Sequence, residues 1–128
     1  MATEEDKLYH YIFTTAMEGG IGYWFEATSY RWSKDNKGID EDYEGYEARG
    51  RAYEEDEEPC IINREMIKRG VERFITKFEN TDNDYRRAMV NDFKLVIAGR
   101  FDADNTDFDA DDADAIVQLG LFNEIVYG

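Results

Sequence analysis

Three glycines within four positions, Gly19, Gly20 and Gly22, constrain this chain more than any other feature, because they separate two patterns of different period. Before them Leu8, Ile12, Thr15 and Ala16 recur at helical spacing, and Thr3 with Asp6 forms a variant of the capping box. A helix is therefore predicted from Glu4 up to the glycines, where a left-handed stop favours a residue without Cβ. After them Ile21 to Trp32 is rich in aromatic and β-branched residues. Ile21, Tyr23, Phe25 and Ala27 fall on one face of a strand and Trp24, Thr28, Tyr30 and Trp32 on the other. The segment Glu18 to Trp24 reads as a sharp helix-to-strand turn.

Further along, Ser33 to Tyr43 is polar and reads as a long hairpin connection. From Glu44 to Glu54, Tyr46, Ala48, Gly50 and Ala52 alternate against Glu47, Arg49, Arg51 and Tyr53, the period of a half-buried strand in which Gly50 marks a bulge or a close neighbour. The run Glu54 to Glu58 is read as an acidic turn, followed by Pro59 and a short third strand, Cys60 to Ile62. Asn63 is a good N-cap for a helix from about Arg64 to Lys77, with Met66, Ile67, Gly70, Val71, Phe74, Ile75 and Phe78 as its apolar stripe. A second helix, Asn83 to Ala98, is predicted with Thr81 or Asp82 as cap. Its inner face is Tyr85, Ala88, Met89, Phe93, Val96 and Ile97, and Gly99 is its stop. A last helix, capped by Asp109 or a neighbour, carries Ala113, Ile116, Val117 and Leu121, and the tail Glu124 to Tyr127 docks as a strand or extends. The fold class that follows is α+β: a small antiparallel sheet of about three strands packed by about four helices, the two central ones covering one face.

The chain of 128 residues fits one domain, residues 1–128. Hydrophobic residues make up 42% of it, too many for a disordered chain. Against 15 Lys and Arg stand 30 Asp and Glu, a formal net charge of −15, which repels phosphate backbones and anionic membranes, so direct nucleic-acid or membrane binding is disfavoured. The excess fits solubility, adaptation to salt, or imitation of a polyanion. With Cys60 as the single cysteine no internal disulfide forms, and the acidic N-terminus does not read as a signal peptide, so the expected location is the cytoplasm.

Candidate chemistry is sparse. Asp102, Asp104 and Thr106 fall at the first, third and fifth positions of an EF-hand loop, but the sixth holds Asp107 instead of glycine and the twelfth holds Ala113, which has no oxygen to offer. Helix capping accounts for the run, and no metal or cofactor is expected. His10 is the single histidine, which supports neither a His/Cys metal cluster nor a Ser-His-Asp relay. Carboxylates are so abundant that no catalytic pair stands out, and no catalytic residue is assigned. The glycines resemble a phosphate-cradling loop only superficially, because such loops run from strand into helix. The candidate ligand or partner surface is Gly19, Gly20, Gly22, Tyr23, Trp24, Tyr30 and Trp32, whose amphipathic rings suit a binding hot spot and are expected to be exposed. A candidate acidic mimic surface is Glu54, Glu55, Asp56, Glu57 and Glu58.

The segment Thr15 to Trp24, with Tyr30-Arg-Trp-Ser33 and the ending Asp111 to Gly128, resembles small uncharacterised proteins of tailed bacteriophages and related viruses or prophages. The likeness covers both ends of the chain, whereas Lys34 to Glu58 is more acidic than that group. The resemblance implies a small viral accessory protein in the host-cell cytoplasm, acting as a non-enzymatic binding module for a host factor, a nucleotide or a viral partner. It carries over no activity and leaves room for a small ligand and for a homo-oligomer. The alternatives are a nucleic-acid mimic that inhibits a host DNA- or RNA-binding protein, and an acidic structural protein of a salt-adapted virus.

Overall fold

A computed structural model describes residues 3–31, 46–52 and 55–128, with the backbone alone at 30–31 and 55–58. Helix α1 (Glu4–Thr15) begins as the capping box requires: the Thr3 hydroxyl accepts the Asp6 amide at 3.1 Å, and the Asp6 carboxylate accepts the Thr3 amide at 3.1 Å. Such a cap contributes about 1 kcal/mol. The helix runs on through the first glycine pair as a π-helical turn, Ala16–Gly20, closed by the Ile21 amide on the Ala16 carbonyl at 3.1 Å.

The strand predicted from Ile21 starts four residues later, as β1 (Phe25–Arg31). The Trp24 and Phe25 amides both donate to the Ile21 carbonyl, at 3.0 and 2.9 Å, so residues 21–24 form a tight turn. That turn takes Tyr23 and Trp24 out of the two-residue alternation.

β2 (Glu47–Ala52) pairs antiparallel with β1 and with β3 (Glu55–Asn63), in the order β1-β2-β3. The predicted alternation in β2 holds, with Ala48, Gly50 and Ala52 buried and Arg49 and Arg51 exposed. Gly50 lies opposite Ala27 and Cys60, and a Cβ there would overlap the Glu26 carbonyl oxygen. The expected acidic turn is a correction: from Glu55 the backbone is already strand, paired at Ala52. A run of like charges has no alternation to reveal a strand. Glu54, Trp32 and the Ser33 to Tyr43 connection lie outside the described residues.

Asn63 ends β3 and caps α2 (Arg64–Phe78), its side-chain oxygen accepting the Met66 amide at 3.0 Å. α3 (Asp84–Ile97) is capped by Asn83 rather than by Thr81 or Asp82, because the Thr81 hydroxyl is spent on the Asn83 amide. Its buried face is Met89, Val90, Phe93 and Val96, while Tyr85, Ala88 and Ile97, expected inside, are exposed. Gly99 ends it with a left-handed φ of 75°.

α4 (Ala110–Phe122) occupies the centre: every residue from Asp112 to Gly120 is buried. A helix that is apolar on most sides must be surrounded, and this reorganises the expected layering. α2 packs most extensively on α4 rather than lying beside α3 on the sheet, α3 packs on α2 and α1, and β3 meets α2 and α4. The α2–α4 crossing is close because glycines meet backbone there. A Cβ on Gly70 would overlap the Ile116 carbonyl oxygen, and one on Gly120 would lie 2.6 Å from the Met66 carbonyl oxygen. Among the described residues no helix is long and apolar enough to cross a membrane.

Candidate functional site

The two sequence blocks that flank the chain meet at one carboxylate. α4 turns Asp114 and Gln118, one helical turn apart, toward the residues 21–24 turn, and the chain beyond the left-handed Asn123 (φ 61°) folds back over them. Asp114, only 8% exposed, accepts three hydrogen bonds: the Trp24 indole at 2.8 Å and the Gln118 amide at 2.8 Å on Oδ1, and the Tyr23 hydroxyl at 2.5 Å on Oδ2. All three donors are neutral. Burial and the bond to Asp114 push the Tyr23 phenol up to about 12.

Gln118, fully buried, clamps the tail. Its oxygen accepts the Val126 and Tyr127 amides, each at 2.7 Å, and its nitrogen donates to the Tyr127 carbonyl at 3.1 Å. The Tyr127 ring stacks on Trp24 with centroids 5.1 Å apart and planes 4° from parallel. The tail thus docks through a side chain that imitates a strand neighbour, without becoming a strand itself. Between these groups and α3 lies a pocket of about 520 Å³, floored by Asp111, Asp114 and Gln118, walled by Tyr23 and Tyr127, and bounded by Arg86.

Of the predicted surface, Tyr23 is 51% exposed, as expected. Trp24 is 1% exposed, a correction: its indole fills the space between Phe25, Phe122 and Tyr127. Gly19 and Gly22 are exposed, whereas Gly20 is buried, and a Cβ on it would lie 2.9 Å from the Ala110 carbonyl oxygen. Gly20 is therefore a packing glycine that lets the π turn touch the start of α4. Tyr30 pairs with Ala48 through the backbone of β1, its side chain lying outside the described residues together with Trp32. The side chains of the acidic run, Glu54 to Glu58, also lie outside them.

Asp114 and Gln118 were not singled out by sequence reasoning, although two polar residues at i and i+4 within Ala113 to Leu119 are a signal of a buried polar pair. The neighbouring acids have local duties. Asp109 and Asp112 form a capping box at the start of α4, and Asp112 also accepts the Tyr85 hydroxyl at 2.9 Å. Burial raises the Asp112 carboxyl above its ordinary value, against the lowering effect of the Asp109 amide and the Tyr85 hydroxyl. Arg86 lies 3.9 Å from Asp112 and stacks over Phe78 at 4.5 Å. Asp104 accepts the Tyr11 hydroxyl at 2.6 Å. Among the described residues no group of three or more His, Cys, Asp or Glu is placed to hold a metal ion. His10 is fully buried, edge-on to Tyr46 with ring centroids 5.1 Å apart.

A second concavity, about 400 Å³, is lined by Arg69, Arg73 and Lys77 of α2 beside the end of α4. Arg69 donates to the Gly120 carbonyl at 2.9 Å and Arg73 to the Leu119 carbonyl at 2.7 Å. Cations belong at helix C-termini, where carbonyls are unsatisfied, so these arginines are explained by the fold. Comparison with family models, with curated proteins and with solved structures finds no match to this chain.

Proposed function

We propose that the chain is a non-enzymatic binding module of the kind a small phage-type accessory protein supplies, and that its partner docks over Tyr23. One observation carries the reading. A tyrosine half exposed to solvent is held by its own hydroxyl to a buried carboxylate, at the mouth of a pocket formed by the residues 21–24 turn, α4, the tail and Arg86. A side chain fixed before binding loses little rotamer freedom on binding, and tyrosine brings both apolar area and a polar tip. The buried acids of α4 are engaged structurally: Asp112 caps the helix and accepts the Tyr85 hydroxyl, and Asp114 accepts neutral hydroxyl, indole and amide donors.

The test is affinity capture from a bacterial lysate with the full chain as bait, with native mass spectrometry of the recovered protein. A protein or small molecule retained by the wild type should be lost from Tyr23→Ala and kept by Arg49→Ala, a change on the exposed face of β2. Equal retention by both variants would move the docking surface elsewhere.

A further inference from the structure

Resting on the binding-module reading, the geometry points to a cation-accepting pocket at Tyr23, Asp111 and Asp114, whose occupant is a lysine or arginine side chain of a basic protein partner. The first ground is charge. Asp114 is buried, yet its three donors are neutral, and among the described residues no Lys, Arg or His lies within 4.0 Å of its carboxylate. Buried carboxylates are ordinarily paired with a cation, because desolvation is then offset by direct attraction. Arg86, the cation that borders the pocket, is turned to Asp112 and stacked on Phe78.

The second ground is valence. A carboxylate offers about four acceptor positions, of which the Trp24, Gln118 and Tyr23 donors fill three. The open position is on Oδ2, beside the Tyr23 oxygen, which donates to Asp114, faces the Gln118 amide and retains a second lone pair. An ammonium or guanidinium brings several donors and can meet both oxygens, with exposed Asp111 one turn earlier on the same helix face.

The third ground is the aromatic wall. Tyr23 and Tyr127 line the pocket, and tyrosine faces attract cations. Finally, the formal charge of −15 steers basic partners toward the chain, and the pocket gives that diffuse attraction one place to be specific.

The experiment is an NMR titration of the full chain with tetralysine and tetraarginine peptides, with tetraglutamate as control, repeated at low and physiological salt. The expected result is saturable shifts centred on Tyr23, Asp111, Gln118 and Tyr127, persisting at physiological salt. Asp111→Asn, an exposed first-turn position, should weaken binding about tenfold, while Glu72→Gln on exposed α2 surface should leave it within about twofold, since long-range attraction alone is screened beyond about 8 Å. Equal weakening by the two variants, shifts spread over all acidic surfaces, or no saturation would overturn the proposal. Lysate capture that depends on Tyr23 but is indifferent to Asp111→Asn would overturn the cation pocket alone and leave the binding module standing.

Discussion

The Trp24 indole donates to Asp114 Oδ1 at 2.8 Å across ninety positions of sequence, and this bond ties the glycine-rich turn to the central helix. Asp114→Ala removes the acceptor while leaving the indole N–H and the Gln118 amide buried. Unsatisfied buried donors cost about 1–3 kcal/mol each, so a loss of about 3 kcal/mol is expected in urea unfolding. Asp114→Asn keeps one oxygen for Trp24 and Gln118 and should cost about half as much. Equal losses for the two would show that the hydrogen bonds are not what the residue contributes.

The α2–α4 crossing makes opposite predictions for two glycine classes. Gly70→Ala and Gly120→Ala push a methyl into the Ile116 and Met66 carbonyls, and overpacking of this kind costs about 1–3 kcal/mol or more. Gly19→Ala meets nothing within 4 Å in a helical turn and should be neutral or stabilising by up to about 1 kcal/mol. Thermal melts of the three variants separate packing glycines from those whose side-chain space is open.

Much of this architecture follows from local patterns. The Thr3 and Asn63 caps, the β2 alternation and the α2 stripe are each written in a few adjacent residues, and each is found where predicted. The beginning of β1 and the place of Trp24 depend instead on which carbonyl the turn amides choose, Ile21, a competition that period-two reading does not see. The central position of α4 was hidden because its polar residues looked like exposed caps. Asp112, Asp114 and Gln118 are buried polar groups satisfied by partners distant in sequence, such as Tyr85 and Trp24; the i and i+4 spacing of Asp114 and Gln118 hints at a buried pair, but the partners that satisfy it are not written in that segment. The candidate site was half visible: the glycine-aromatic block was identified, while the carboxylate that organises it was not.

Acid sensitivity should centre partly on Asp6. Its burial acts to raise the carboxyl, but the Thr3 amide, Arg64 and the Thr3 hydroxyl together outweigh that and hold it below the ordinary value of 3.8. Arg64 reaches it at 2.7 Å from across the molecule. A depressed folded value means that the unfolded chain binds the proton more readily, so the stabilisation is fully present above the unfolded value and is lost as pH falls through the folded one. The stability gap between wild type and Asp6→Asn should therefore be constant near neutrality and close below about pH 3.8. A gap independent of pH would assign the effect to packing.

The tail offers the most direct optical test. Gln118→Ala deletes the oxygen that holds the Val126 and Tyr127 amides, and those amides then find better partners in water than in the fold. The tail should detach, taking Tyr127 off the Trp24 face. In a Trp32→Phe background Trp24 is the only tryptophan, so its emission should shift to the red and its quenching by acrylamide should rise. Gln118→Glu keeps oxygen acceptors for the tail amides but replaces the donor to Asp114 with a second carboxylate, placing like charges at hydrogen-bond distance in a buried site. That variant should be the less stable of the two at neutral pH and should regain stability as the pair takes up a proton on acidification. Gln118→Ala, lacking the added acid, should show no such recovery, which isolates the role of the amide as the neutral bridge between Asp114 and the tail.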